Sequence, residues 1–184
     1  MLKLYGGARS RASIVQWYLE ELGVPYEYVL LDMQAGEHRQ PDYLAVNPFG
    51  KVPGIIDGDL KLWESGAILL YLSDKHEKVI ATPERRAEIT QWVMFANATF
   101  GPGIFVESSR EKEMPRLFTA LNQYLEQREY LVGDRFTAAD VAVGAFLAYI
   151  PLMLGIQYGD YGAIAHYHQS LTARPAFGKT IGAR

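Results

Sequence analysis

Residues 47–71, NPFGKVPGIIDGDLKLWESGAILLY, contain the clearest structural pattern in the chain. Two short apolar runs flank a turn that contains Asp-Gly, and this pattern predicts a β-hairpin. An apolar helix follows at Glu64-Ser65, where unpaired backbone N–H groups and the positive end of the helix dipole attract an anion such as a carboxylate. Pro53 cannot donate a hydrogen bond within a strand, so we predict a cis Val52-Pro53 bond that turns the Val52 backbone toward a ligand.

The residues before this stretch predict the rest of an α/β unit. A short strand is expected at residues 3–5, a helix with apolar spacing between residues 14 and 22, and a second strand at residues 26–31. The polar residues 32–41 are predicted to form a loop that leads into a short helical turn. The predicted order is β-α-β-(loop/helix)-β-β-α, a two-layer unit that ends near His76.

The second half of the chain shows helical patterns only. After a polar linker at residues 75–84, Pro83 is predicted as the first residue of a helix that Thr82 caps. The run Gly-Pro-Gly at residues 101–103 is expected to break or kink this helix, and Pro115 is expected to open the next one.

A capping box predicts where the most buried helix begins. Thr137 is its expected N-cap and Asp140 its third residue, and residues 141–154 are apolar nearly all round. Losing either capping residue is expected to cost roughly 0.5–2 kcal/mol of stability without touching any chemistry. A last helix is predicted from about Tyr161 to Leu171.

Composition excludes several classes of function. The 184 residues suffice for one large or two small domains, and a net charge of −3 leaves no basic surface for nucleic acid. The sequence has no apolar run of about 18 residues to span a membrane. Its N-terminus lacks the apolar core of a signal peptide, so a cytoplasmic location is expected. Cysteine is absent, which excludes disulfides, thiolate metal sites and a cysteine nucleophile.

Three motifs in this order and spacing resemble the cytosolic glutathione transferases: residues 47–53 (NPFGKVP), 64–72 (ESGAILLYL) and 136–141 (FTAADV). The resemblance covers essentially the whole chain and is nearest to theta-like or chi-like bacterial members without a catalytic cysteine. It implies a thioredoxin-like glutathione-binding domain with a mixed four-stranded sheet at residues 1–78. An all-helical domain with the electrophile pocket and dimer contacts is implied at residues 84–184. The short C-terminus implies a missing last helix and an open pocket.

The resemblance also implies how glutathione is bound at the start of the helix and at the cis proline. Ser65 matches the residue whose hydroxyl and N–H take the γ-glutamyl carboxylate, and Glu64 would face the α-ammonium group. The Val52 backbone, before Pro53, would pair with the cysteinyl backbone of glutathione in a short antiparallel ladder. Both residues of this dipeptide are therefore expected to line the site.

The glycyl carboxylate of glutathione is expected to meet two cationic groups. Lys51 matches a residue that reaches this carboxylate, and His38 lies in a GEHR segment that resembles the Gly-Gln-His-Lys pattern of theta-like members. Without the resemblance, Lys51 would be read as a surface lysine and His38 as a solvated loop histidine. A peptide with two carboxylates and one ammonium group would then meet two cations, one anion and a helix N-terminus.

The residue that activates the thiol is expected at the first strand–helix junction. A free thiol has a pKa near ~8.5, so conjugation at neutral pH needs a group that stabilises the thiolate. Ser10 aligns with the catalytic serine of theta-like members and Arg11 with the cysteine of beta-class members. We predict a hydroxyl donor at Ser10, helped by the helix N-terminus and by the Arg11 cation. Ser10 as a plain helix N-cap, Tyr5, Ser13 or Arg9 remain alternatives.

The resemblance therefore predicts a homodimeric glutathione transferase that conjugates glutathione to small hydrophobic electrophiles. No prosthetic group and no metal are expected, since His166 and His168 point apart on a helix. Phe100, Phe105 and Tyr149 are candidates for the electrophile pocket, although core packing is the more frequent fate of such residues. Two other functions remain open: glutathione-dependent reduction of organic hydroperoxides, and a non-catalytic binding module.

Overall fold

The computed structural model describes residues 1–77 and 82–183. Its N-terminal part has the predicted order of elements. The strands are β1 (Leu2–Gly6), β2 (Tyr26–Leu30), β3 (Gly54–Asp57) and β4 (Leu60–Trp63), and the helices are α1 (Ala12–Leu22), α2 (Pro41–Leu44) and α3 (Ser65–His76). The segment predicted as loop also contains a short 3-10 turn, Glu37–Arg39.

The four strands form one mixed sheet in the order β2-β1-β3-β4. β1 pairs with β2 in parallel, with Leu4 opposite Tyr28, and with β3 antiparallel, with Leu4 opposite Ile55. The predicted hairpin of β3 and β4 is present, and Gly58 in its turn has φ +61°, a conformation that favours glycine. Leu4 and Ile55 are both fully buried, so the centre of the sheet forms part of the core.

The remainder of the described chain is helical. Its helices are α4 (Pro83–Phe95), α5 (Gly101–Phe105), α6 (Glu107–Leu125), α7 (Ala138–Leu154), α8 (Gly162–Thr172) and α9 (Pro175–Gly178), with a 3-10 turn at Ile181–Ala183. The predicted domain boundary falls at residues 78–81, which lie outside the described residues, so the exact limits stay a prediction. Within the described ranges no helix is long and apolar enough to cross a membrane.

Two proline positions can be compared with the prediction. Gly-Pro-Gly at residues 101–103 does not break the helix at residues 83–95, which passes through a π-helical segment, Ala96–Phe100, directly into α5, with Pro102 in its first turn; a kink there stays a prediction. Pro115 does not open a helix either: it lies inside α6, which begins at Glu107. A proline is readily accommodated in a first turn and is costly further inside, so the sequence rule placed the start of α6 too late.

The capping box at the start of α7 is confirmed and does more than cap the helix. The Asp140 carboxylate is fully buried and accepts from the N–H and hydroxyl of Thr137, at 2.8 and 3.1 Å. It also accepts from the Leu131 N–H at 2.8 Å and from the Tyr167 hydroxyl at 2.7 Å. Burial raises the pKa of Asp140, whereas these hydrogen bonds lower it. Asp140 therefore joins α7, α8 and the preceding loop.

Helix α1 connects the sheet with the helical part. Trp17 is fully buried and its ring lies 5.6 Å from that of Phe136 and 5.2 Å from that of Phe177. At the end of α1, Glu21 accepts two hydrogen bonds of 2.8 Å from Arg174. These contacts fix α1, and with it the strand–helix junction at residues 7–12, against the helical part.

Candidate functional site

A cavity of about 290 Å³ opens where the starts of β3, α3 and α1 meet. It is lined by residues at or just before the starts of these elements: Arg11, Asn47, Lys51, Val52, Pro53, Glu64 and Ser65. Six of these were predicted from the sequence as site residues. The structure therefore brings most of the predicted set into one pocket.

The floor of this pocket is the segment that precedes β3. The Val52-Pro53 bond is cis, as predicted. The Lys51 carbonyl accepts hydrogen bonds from the Tyr43 hydroxyl at 2.5 Å and from Asn47 Nδ2 at 2.7 Å. Burial raises the pKa of Tyr43 to about 12, so its phenol stays protonated and keeps donating. The segment is thus held from below by two buried donors.

The wall opposite is the N-terminus of α3. Glu64 has φ +69°. Among the described residues, it is the only one other than glycine with a positive φ. Such a conformation costs of order 1–3 kcal/mol and is found mainly at functional sites. This conformation places a single residue between the end of β4 at Trp63 and the start of α3 at Ser65. Ser65 is 4% exposed. Glu64 and Ser65, at the start of α3, both line the pocket.

Arg11 and Ser10 occupy different positions at the start of α1. Arg11 lines the pocket, whereas Ser10 is not among the lining residues. The Ser10 hydroxyl accepts from the N–H groups of Gly7 and Ala12, at 3.0 and 3.3 Å, and donates to the Gly7 carbonyl at 3.1 Å. These are the hydrogen bonds of a residue that shapes the turn before a helix. Of these two residues, Arg11 is the one that lines the pocket.

His38 lies next to the pocket without lining it. Gly50 has φ +59°, and a Cβ on it would lie 2.9 Å from the His38 carbonyl, so glycine permits the close approach of the two loops. The imidazole Nδ1 of His38 is buried and has no hydrogen-bond partner among the described residues. The structure thus brings the His38 backbone against the segment before Lys51.

An aromatic wall adjoins the Arg11 side of the pocket. The Arg11 guanidinium carbon lies 5.3 Å from the centre of the Phe146 ring, a cation–π distance. Phe146 in turn contacts Phe105 and Tyr149, with ring centres 6.0 and 6.5 Å away. Phe100, also a candidate for this wall, and Phe146 are both buried in the core, whereas Phe105 and Tyr149 are partly exposed.

Two residues of this region have no role that the sequence predicted. Asn47 was quoted as part of the NPFGKVP motif but was given no role; its Oδ1 accepts from the Phe49 N–H at 3.0 Å while its Nδ2 donates to Lys51. A polar side chain directly before a Pro-x-Gly turn was the available signal. Phe146 lies in an apolar run, where no local signal separates a wall residue from a core residue.

No metal site is found in the part of the chain that the structure describes: it contains no group of three or more His, Asp or Glu side chains able to hold an ion. His166 is exposed on α8, and His168 packs its ring 5.3 Å from that of Tyr158. Burial lowers the pKa of His168. The two histidines therefore have separate surroundings.

Comparisons against known proteins identify the family of the chain. The model for the glutathione S-transferase N-terminal domain matches residues 1–74, and the model for the C-terminal domain matches residues 105–175. Glutathione S-transferase GstB of Escherichia coli K12 is 33% identical, over 98% of this chain and 98% of that protein. The chain belongs to the glutathione S-transferase family.

Solved structures support the same assignment. Glutathione transferase URE2P6 from Phanerochaete chrysosporium, crystallised with oxidized glutathione, is 31% identical with a TM-score of 0.86, covering 99% of this chain and 95% of that one. Ure2p5 of the same organism, cocrystallised with 1-(S-glutathionyl)-2,4-dinitrobenzene, is 26% identical with a TM-score of 0.84, covering 99% and 93%. The predicted family, two-part fold and enzyme class, that of the glutathione transferases, are confirmed.

Proposed function

We propose that this glutathione transferase conjugates the thiolate of glutathione to small hydrophobic electrophiles. The observation that carries the proposal is the charge pattern of the pocket. Two cationic side chains, one carboxylate and a helix N-terminus line it, and glutathione presents two carboxylates, one ammonium group and a thiol. Residues 1–78 would bind glutathione, and residues 84–184 would supply the second pocket.

Each end of the peptide has a matching group. The γ-glutamyl carboxylate would accept from the N–H and hydroxyl of Ser65, and its ammonium group would face Glu64. The Val52 backbone, next to Pro53, would pair with the cysteinyl residue. Lys51 would meet the glycyl carboxylate, and His38 would do so after a small movement of its loop. These roles follow from the family resemblance and fit the lining of the cavity.

The thiol would then lie near the start of α1. A positive charge close to a thiol lowers its pKa, as does the N-terminus of a helix. We propose that Arg11 supplies the charge and that Ser10 orients the turn and remains the candidate hydroxyl donor. In the reaction the thiolate sulfur forms a bond to the electrophilic carbon, and the leaving group departs with the bonding electrons.

The electrophile would bind against Phe105 and Tyr149, the partly exposed members of the aromatic wall that packs on Phe146. Support comes from the cation–π contact that joins this wall to Arg11, and from the dinitrobenzene conjugate bound by the similar Ure2p5. A flat aromatic electrophile stacks well on such side chains. A homodimer, a cytoplasmic location, a role in detoxification and the theta-like or chi-like type stay predictions.

Ser65→Ala should weaken the binding of glutathione without slowing the chemical step. The lost hydrogen bond to a carboxylate exists both before and during the reaction, so its removal raises KM and leaves kcat nearly unchanged. We expect KM for glutathione to rise roughly tenfold, because hydrogen bonds to charged groups contribute about 1.5–3 kcal/mol. Steady-state kinetics with a halo-dinitrobenzene electrophile at varied glutathione concentration measures both constants.

Ser73→Ala is the matched control, because Ser73 is a buried serine of the same helix and lies outside the pocket lining. Its KM should equal that of the parent. A Ser65→Ala variant with unchanged KM would refute the proposed position of the γ-glutamyl carboxylate. A parent protein that reduces an organic hydroperoxide but forms no conjugate would favour the peroxidase alternative, and one that binds no glutathione would refute both.

A further inference from the structure

Two residues of α7, one helical turn apart, contact the start of α1. The Tyr149 hydroxyl lies 2.7 Å from Ser13 Oγ, and the Phe146 ring lies under the Arg11 guanidinium. Residues three apart on a helix share one face, so both contacts are made by the same side of α7. The helical part of the protein thus contacts the strand–helix junction at two neighbouring points.

Either hydroxyl can donate in the 2.7 Å contact between Tyr149 and Ser13. The Ser13 hydroxyl has one proton, and the Ser10 carbonyl lies within hydrogen-bond distance of it, at 3.1 Å. We assign the Ser13 proton to that carbonyl, so that Tyr149 donates to Ser13 Oγ. The result is a chain of two hydrogen bonds that runs from the Tyr149 phenol through Ser13 to the Ser10 carbonyl. Ser13, which links the two hydrogen bonds, is fully buried, whereas Tyr149 is half-buried.

The two hydrogen bonds end at the turn that carries Arg11. The Ser10 carbonyl also accepts from the Ser13 N–H at 3.3 Å, while the Ser10 hydroxyl bonds the N–H groups of Gly7 and Ala12. Arg11 stands between these fixed points and has no side-chain capping bond of its own. The direction of its side chain therefore depends on how firmly the turn from residue 7 to residue 13 is held.

We propose that Tyr149 is a positioning residue for the thiolate site: its hydroxyl, acting through Ser13, fixes the Ser10–Arg11 turn against the sulfur of bound glutathione. The proposal rests on the proposed function, because it assumes that the sulfur lies beside this turn. It also means that the helical part, which would bind the electrophile, sets the reactivity of a sulfur bound by the other part. Tyr149 itself touches neither reacting atom in this role.

Tyr149→Phe should slow the reaction and move its pH dependence. Removal of one hydrogen bond from the chain loosens the turn, so the thiolate is stabilised less well. We expect kcat to fall about threefold at pH values below the thiol pKa and the pH–rate profile to move up by about half a pH unit, the sizes expected for one buried hydrogen bond. KM for glutathione should change less than about twofold, since Ser65 and Val52 are untouched.

A double-mutant cycle tests whether Tyr149 acts through Ser13. Ser13→Ala alone should reproduce the shift of Tyr149→Phe, and the double variant should be no worse than Ser13→Ala. Tyr124→Phe is the control, because it too removes one hydrogen-bonded tyrosine hydroxyl. The Tyr124 hydroxyl donates to the Leu131 carbonyl at 2.9 Å and not to a residue of α1. Its pH–rate profile should match the parent. An unmoved profile in Tyr149→Phe, or additive effects in the cycle, would overturn the proposal.

Amide hydrogen exchange without glutathione separates this proposal from the proposed function. In Tyr149→Phe the amides of residues 7–13 should exchange at least about threefold faster than in the parent and in Tyr124→Phe, because local opening becomes easier. If the parent binds no glutathione, the proposed function fails, whereas the exchange rates still report on the turn. Unchanged exchange in this segment would refute positioning by Tyr149 whatever the ligand.

Discussion

Replacing Arg11 with alanine is expected to lower kcat for conjugation about tenfold at pH values below the pKa of the bound thiol, and to move the pH–rate profile up by about one pH unit. Arg11 is the cationic residue of the α1 turn that lines the pocket. A cation within about 4–6 Å of a thiolate lowers the thiol pKa by roughly 1–3 units, and the exposure of Arg11 to solvent favours the lower end of that range. One pH unit corresponds to a tenfold smaller thiolate fraction.

Two further variants separate charge from geometry. Arg11→Lys keeps the charge, so most of the activity should remain, although the planar contact with Phe146 is lost. Ser10→Ala removes the hydroxyl that braces the turn and the alternative thiolate donor. We expect a large fall in turnover with little change in glutathione affinity. If Arg11→Ala has the profile of the parent while Ser10→Ala loses activity, the thiolate donor is the Ser10 hydroxyl and not the charge.

Replacing Asp140 with alanine is expected to lower the free energy of unfolding by roughly 3–5 kcal/mol. The carboxylate accepts four hydrogen bonds in the core, and its removal leaves the Leu131 N–H, the Tyr167 hydroxyl and the Thr137 N–H without this acceptor. Each buried donor left unpaired costs about 1–3 kcal/mol. Since domains have only 5–15 kcal/mol in total, much of the stability would be lost. Urea unfolding followed by far-ultraviolet circular dichroism measures it.

Thr137→Ala provides the comparison for Asp140→Ala, because it disturbs the same capping box but not the contacts with Leu131 and Tyr167. Its cost should stay near ~1 kcal/mol, as for an ordinary N-cap. Asp140→Ala with a cost no greater than that of Thr137→Ala would contradict the account of Asp140 as a joint between α7, α8 and the preceding loop. In that case Asp140 would act as a cap only, as the sequence alone predicted.

Local patterns explain which parts of the fold were predictable. The hairpin around Gly58 and the box of Thr137 and Asp140 depend on a few neighbouring residues, and both are confirmed. Pro115 misled the prediction because its position inside α6 depends on contacts between helices. The same reasoning applies to the wider network of Asp140, whose partner Tyr167 is 27 residues away along the chain.

In the candidate site too, local motifs were predictable and contacts between distant residues were not. Lys51, Val52, Pro53, Glu64 and Ser65 are close in sequence, and their motifs predicted a common pocket that the structure contains. Which of Ser10 and Arg11 lines that pocket was not predictable, because it depends on how the start of α1 packs against α7. The contact of Tyr149 with Ser13 joins residues 136 apart, and no local pattern announces it.

The pKa of the thiol of protein-bound glutathione is the most direct test of the central claim, that this pocket holds glutathione as a thiolate beside Arg11. Titration of the ultraviolet absorbance of the thiolate, with protein in excess over glutathione, measures it. The account predicts a pKa about one to two units below the free value of ~8.5, and a return toward that value in Arg11→Ala. Glutathione that does not bind, or that binds with an unchanged thiol pKa, would contradict the account.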